Sequence, residues 1–271
     1  METILIVQLS VLGIIVGFAA GLLGVGGGGI LVPVLTSIYL AEQIVPNHAV
    51  HIALGTSMAC IITTTFSSAF SHYKNHNVDW LYVKTMVPFI VVGAICISFF
   101  IPYINSSFLA VFFAVFMFFM AAKMFINRAP VPIEDKKFNL PPQAAGIGVG
   151  GLSTLVAIGG AVLVVPYLIS RGLDIRRAIG SSAAIGFPIA ISGTIGYAIN
   201  GHISAEELVN QSGIIGFVHI PSVIIVSVFG FLMAPVGVKF STKLPVQTLK
   251  KIFAVLLVGL SIKMLANIFA Q

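Results

Sequence analysis

Two glycine-rich interruptions of apolar sequence are the first places in this chain where chemistry could happen. Gly24-Val25-Gly26-Gly27-Gly28-Gly29-Ile30-Leu31-Val32-Pro33 is echoed by Ala157-Ile158-Gly159-Gly160-Ala161-Val162-Leu163-Val164-Val165-Pro166. Glycine holds a continuous helix poorly, and in hydrocarbon a broken helix survives only where protein or a wet cavity satisfies the freed backbone. A helix restarting at Gly26, Gly27 or Gly28, or at Gly159 or Gly160, bares the N–H groups of its first turn and places partial positive charge there. Such an end holds an anion with no charged side chain. The plainer reading is close helix packing through small residues. Two such breaks in matching halves of one apolar chain favour a binding site.

Hydroxyl groups recur beside the breaks. Ala53-Leu54-Gly55-Thr56-Ser57 matches Ala178-Ile179-Gly180-Ser181-Ser182. Thr56, Ser57, Ser181 and Ser182 are therefore expected as donors walling the same cavity, although Ser and Thr in membrane helices often bond only to their own preceding turn. His219, two residues before Pro221, reads as the one ionisable group well inside a span and as a proton-coupling candidate. Its alternative is a neutral ring bonded to a carbonyl freed by a proline kink. Lys84 and Lys263 reach an interface and snorkel.

The absences are as informative. All eight acidic residues, Glu2, Glu42, Asp79, Glu134, Asp135, Asp174, Glu206 and Glu207, fall outside the expected spans, which disfavours a cation substrate and a carboxylate proton relay. No phosphate-binding Gly-x-x-x-x-Gly-Lys-Ser/Thr run occurs, so ATP is not the energy source within this chain. No nucleophile–base arrangement supports an enzyme, and no cofactor is expected. His72 and His76, four apart, lack acidic or thiol support for a metal, and His48, His51 and His202 also fall near loops. Cys60 and Cys96 lie in apolar stretches and read as buried, inert thiols.

The elements that must position these residues are membrane helices. The chain has 58% hydrophobic and 8% charged residues, whereas soluble domains carry about a quarter charged. Ten segments follow from the apolar runs and their breakers: 4–23, 27–39, 49–70, 81–101 and 108–126, then 143–156, 159–169, 178–198, 208–234 and 249–269. The first lacks a basic leader and a cleavage site and reads as a retained helix. Residues 1–126 form a first transmembrane repeat, 127–142 a cytoplasmic linker, and 143–271 a second repeat. A further match, Ala114-Val115 and Lys123-Met124 against Ala254-Val255 and Lys263-Met264, supports the duplication. Five segments per half make the repeats inverted.

Charge tests that count. If every segment reverses direction, thirteen of the fourteen basic residues share one side and only Lys263 stands on the other. The crowded side is cytoplasmic by the positive-inside rule, and both termini are extracytoplasmic. The net charge of +6 is thus topological and gives no reason to invoke nucleic acid. The segments at 27–39 and 159–169 are too short to cross alone, so they are expected as half-helices meeting near mid-membrane. The fold class is an all-α polytopic membrane protein whose partners are the lipid bilayer and a small anion; homo-oligomerisation is left open.

The glycine turn from Gly21 to Pro33, followed by Ala53 to Ser57, resembles the sulfite exporter TauE/SafE family, and Gly148 to Pro166 with Ala178 to Ser182 is its weaker repeat. The resemblance runs over nearly the whole chain. In the second motif Ala157, Ala161 and Val162 replace glycines, which implies a less close approach to substrate there. The resemblance implies a secondary carrier, often outward, of sulfite, thiosulfate or an organosulfonate. The residues themselves give only an anion moved without ATP; taken with the resemblance, the reading is a carrier in the inner (plasma) membrane that works by alternating access. A passive anion channel and a non-transporting membrane scaffold are the alternatives.

Overall fold

A computed structural model describes residues 3–23, 27–126, 140–204, 211, 213–241 and 246–269. Among them are ten α-helices: α1 Thr3–Leu23, α2 Gly28–Ala41, α3 Ala49–Lys74, α4 Trp80–Ser98, α5 Ser106–Ile126, α6 Pro142–Leu155, α7 Ala161–Ser170, α8 Ile175–Ser204, α9 Ile220–Ser241 and α10 Val246–Phe269. Among the described residues six stretches are long and apolar enough to cross a membrane: Thr3–Leu22, Pro46–Lys74, Trp80–Tyr103, Ser106–Lys123, Ile175–Ile203 and Ile220–Phe240. Of the linker expected at 127–142, residues 127–139 lie outside the described residues.

The ninth segment differs from the expected 208–234. Its helix starts only at Ile220, behind a small hairpin of β1 Ile214–Ile215 and β2 Val218–His219. Ile215 pairs with Val218 across a two-residue turn, Gly216-Phe217. Gly213 at φ 88° and Gly216 at φ 54° supply left-handed backbone on either side of β1. Pro221 then falls in the first turn of α9, where its missing N–H has no intrahelical partner to lose. It does not kink a span, which corrects that part of the expectation.

Small residues set the helix pairs. Gly13, Gly17 and Gly21 of α1 lie against the backbone of Val226, Gly230 and Ala234 of α9, leaving no room for a Cβ. Gly146 and Gly150 of α6 meet Met86 and Ile90 of α4 in the same manner, and Gly93 of α4 meets the Ile147 carbonyl. Both pairs run parallel, because contacts advance along both helices together. Small residues four apart let backbones approach in this way in the absence of any hydrophobic drive between helices in lipid.

The centre is the antiparallel pair α3 and α8, where Gly193 faces Met58, Gly186 faces Thr65, and the Phe66 and Phe187 rings stand 5.6 Å apart. Their spans are 83% and 61% buried, against 28% for α9. Along α3 and α9, Thr56 meets His219 and Thr64 meets Gly230, so these two are parallel. Along α4 and α8, Asp79 meets Ser181 and Ser98 meets Asn200, so these are parallel too. Helices α1, α3 and α9 therefore point one way and α4, α6 and α8 the other. It follows that α2 returns the chain between α1 and α3, and α7 between α6 and α8.

The packing partners also exchange when each helix number is shifted by five. The α1–α9 contact maps onto α6–α4, α3–α9 onto α8–α4, and α2–α3 onto α7–α8, while α3–α8 and α5–α10 map onto themselves.

A Gly17→Leu variant is expected to lower the melting temperature in detergent sharply, at a cost of about 3 kcal/mol or more, because the side chain must enter the α9 backbone. Gly148→Ala, where an added Cβ meets nothing within 4 Å, is expected to leave it unchanged or slightly raised. Equal melting of the two variants would contradict this packing.

Candidate functional site

The two glycine breaks have one local geometry. Gly27 caps α2 at φ 82°, ψ −6°, and Gly160 caps α7 at φ 74°, ψ −24°. Left-handed backbone costs an ordinary residue about 1–2 kcal/mol, which is why glycine stands at both positions. Each cap carbonyl folds back to accept two N–H groups. Gly27 O takes those of Ile30 and Leu31, both at 3.1 Å, and Gly160 O takes those of Leu163 and Val164 at 3.0 and 2.8 Å. The N–H groups just before them, on Gly28 and Gly29 and on Ala161 and Val162, have no acceptor among the described residues. These are the bared donors of a helix start.

The fold brings the breaks together. The space a Cβ on Gly28 would need is filled by the Ala157 carbonyl, with Ile61 of α3 next to it, and Gly186 of α8 lies against the Gly159 carbonyl. Both breaks thus sit at the α3–α8 crossing, and Gly27, Gly28, Gly159 and Gly160 are all buried there. Gly26 lies outside the described residues. Val16 covers Gly27 and Ile189 covers Gly160, so in this conformation the breaks are shut. One further polar group faces them. The Ser153 hydroxyl is buried without a partner among the described residues and sits 3.9 Å from where a Gly160 Cβ would stand. Sequence reading missed Ser153 because its counterpart in the first motif, Ala20, carries no hydroxyl.

The hydroxyl pairs are elsewhere. Thr56 Oγ1 accepts the His219 N–H at 3.0 Å, and Ser181 Oγ accepts the Asp79 N–H at 2.8 Å. Each lies about 7.5 Å along its helix from the level of the breaks, and because α3 and α8 are antiparallel the two lie on opposite sides of them. Ser182 donates to the Ile179 carbonyl at 2.7 Å, the back-bonding alternative. Ser57 is buried with no partner among the described residues. One cavity walled by all four hydroxyls is therefore not what this arrangement builds.

His219 precedes α9 as Asp79 precedes α4. Its Nδ1 accepts the Ser222 backbone N–H at 3.3 Å and lies 2.8 Å from Ser222 Oγ. The Asp79 carboxylate accepts the Leu81 N–H at 3.1 Å. Both side chains cap their helices. With Nδ1 accepting, the ring proton of His219 sits on Nε2, while the Tyr39 ring stands edge-on 5.5 Å away.

Two cavities open at opposite ends of α3. One, of about 480 Å³, is lined by Asn47, His48, His51, Tyr103 and Ser106 near the start of α3 and of α5. His51 is buried and lies 3.1 Å from Ser106 Oγ and 3.0 Å from the Ile104 carbonyl, and the Phe217 ring stacks on it at 5.0 Å. The other, of about 640 Å³, is lined by Phe66, Phe70, Tyr73, Val78, Trp80 and Lys84. Cys60 is buried as expected, but Cys96 is exposed on the outer face of α4, where the expectation of a buried thiol fails. A helix packed by one stripe leaves its remaining apolar positions for lipid. Among the described residues no three His, Cys, Asp or Glu side chains gather.

Comparison with known proteins agrees with a membrane transporter. A sequence model described as sulfite exporter TauE/SafE matches residues 9–264. A probable membrane transporter protein of Haemophilus influenzae is 33% identical over 253 residues, covering 93% of this chain and 95% of that protein. One from Methanocaldococcus jannaschii is 27% identical over 91% of this chain and 90% of its own length. The probable membrane transporter protein YdhB of Bacillus subtilis is 28% identical over 91% and 93%. No solved structure matches.

Replacing either cap glycine should cost stability. Gly27→Ala and Gly160→Ala are each expected to destabilise by about 1–2 kcal/mol from backbone conformation alone, read as earlier unfolding in detergent. Gly151→Ala, whose Cβ would meet only the Gly93 carbonyl at 3.6 Å, is the tolerated comparison. Unfolding of the cap variants at the temperature of the parent protein would contradict the left-handed caps.

Proposed function

The chain belongs to the sulfite exporter TauE/SafE family, and from that premise we propose that it is a secondary carrier that exports a small sulfur-containing anion by alternating access. Membership makes it a multi-pass membrane transporter and not an enzyme. Its bilayer is the plasma membrane in this reading, with both termini and the hairpin end of α3 outside and residues 127–142 in the cytoplasm. Residues 1–126 and 143–271 are two inverted repeats. The alternating helix directions and the exchange of packing partners between halves support that assignment.

The single observation that carries the reading is the meeting of the two breaks at the α3–α8 crossing, each opening on peptide N–H groups without acceptors among the described residues. Gly28, Gly29, Ala161 and Val162 supply the backbone donors, and Ser153 adds a hydroxyl. Gly27 and Gly160 turn the chain so that these donors are left bare. Gly159 precedes the second cap and is buried with it, while Gly26, proposed with them from the sequence, lies outside the described residues. No fixed cation takes part. Among the described residues the acidic groups Glu42, Asp79 and Asp174 all stand outside the helices, so nothing within a span repels an anion. A sulfonate or sulfite suits such a site because its several oxygens accept charge-assisted hydrogen bonds from convergent donors. His219 is the proton-coupling candidate at the hairpin end, where a proton would enter at Nδ1 and displace the N–H that this nitrogen accepts from Ser222.

Ala161→Pro tests the donors directly. Proline at the first position of a helix removes one proposed N–H that has no intrahelical bond to lose, although it disfavours the ψ of −24° held by Gly160 before it. In proteoliposomes loaded with sulfite, thiosulfate or a small organosulfonate, the variant is expected to bind and move its preferred anion about tenfold less well, since hydrogen bonds to charged groups are the stronger kind. Insertion is expected to be kept and melting of the unliganded protein to fall modestly, so the loss is read as saturable flux per inserted protein. Unaltered saturable flux in the variant would remove the α7 donors from the site.

A further inference from the structure

The hydroxyls that the site does not use mark a second matched device. The residue before Thr56 is Gly55, and the space for its Cβ is taken by the Phe217 carbonyl of the hairpin. The residue before Ser181 is Gly180, and its space is taken by the Asn77 carbonyl of the loop between α3 and α4. Each glycine thus lets a loop carbonyl onto its helix, and the next hydroxyl accepts a backbone N–H two residues further along that same loop. The two loops occupy opposite ends of the α3–α8 pair, immediately before the matched helices α9 and α4.

The remaining contacts make each loop a plug. The Phe217 N–H donates to the Tyr197 carbonyl of α8 at 3.2 Å, and its ring is buried against His51 of α3. The hairpin therefore bridges both central helices. At the other end Asp79 pairs with Arg177 of α8 at 3.2 Å, and the Asn77 N–H donates to the His72 carbonyl of α3. Left-handed residues flank the seated carbonyls, Gly213 and Gly216 in the hairpin and His76 at φ 54° in the loop. The breaks lie covered between the two plugs.

We propose that residues 213–219 and 76–79 are the outer and inner gates of the carrier, and that Thr56 and Ser181 are positioning residues that latch them shut. The proposal rests on the alternating-access reading above. It makes this structure the occluded state, with both latches made. Releasing one latch lets its loop withdraw from its glycine and opens the path from one side only.

Side-selective thiol modification tests it. The reporter is Ser153→Cys beside the breaks, in a full-length protein carrying Cys60→Ala and Cys96→Ala. A membrane-impermeant maleimide is applied from one face or the other of oriented vesicles. Adding Thr56→Val is expected to raise the modification rate from the outer face about fivefold, the population shift set by one lost hydrogen bond, with no rise from the inner face. Adding Ser181→Ala is expected to do the reverse. Thr56→Ser and Ser181→Thr, which keep the hydroxyl, are expected to restore the parent rates, which a merely misfolded variant would not predict. Rates that the latch variants leave unmoved, or raise equally from both faces, overturn the latches while leaving the anion site standing. Fast modification from both faces before any latch is cut overturns alternating access, and the gates with it.

Discussion

A peptide N–H inside hydrocarbon needs a partner, and at two matched places the described residues supply none. Gly27 and Gly160 swing the backbone into the left-handed region, and the helix that restarts beyond each leaves two N–H groups without acceptors among the described residues. Lipid cannot tolerate that, so the breaks must be enclosed. The rest of the molecule reads as their enclosure. The antiparallel α3 and α8 form the buried centre, α1 packs on α9 and α6 on α4 through glycine stripes, and the breaks meet at the crossing.

Glycine consequently does three separable jobs. At 13, 17, 21, 93, 146 and 150 it brings helix backbones together. Positions 27 and 160 use it for a left-handed cap. Positions 55 and 180 are glycine so that a loop carbonyl can reach a helix. Close packing and left-handed capping, which compete as explanations of any one glycine, are both present here and fall on different residues. The first job stabilises the halves, the second bares the donors, and the third seats the loops that close over them.

Much of this was legible because the same short motifs occur twice in the sequence. The two motifs ending at Pro33 and Pro166, the Gly-hydroxyl pairs at 55–56 and 180–181, and the apolar runs all pointed to matched halves. The function of the hydroxyls was not legible, since Thr56 bonds a residue 163 positions away and Ser181 one 102 positions away. No local pattern encodes such partners. His219 read as part of a helix because the apolar run continues through 208–234, whereas two glycines with positive φ and a first-turn proline delay the helix to Ile220. Ser153 escaped notice because it breaks the repeat, and Cys96 because an apolar neighbourhood in a membrane helix implies lipid as readily as core.

The central claim is that the bared amides themselves hold the anion, and amide spectroscopy tests it most directly. In protein labelled with 15N at glycine, alanine and valine and reconstituted in bilayers, titration with sulfite or a small sulfonate should shift the signals of Gly28, Gly29, Ala161 and Val162 saturably. Val164, already bonded to Gly160, should barely move. Saturable flux with those four signals unmoved would show that the anion is held elsewhere.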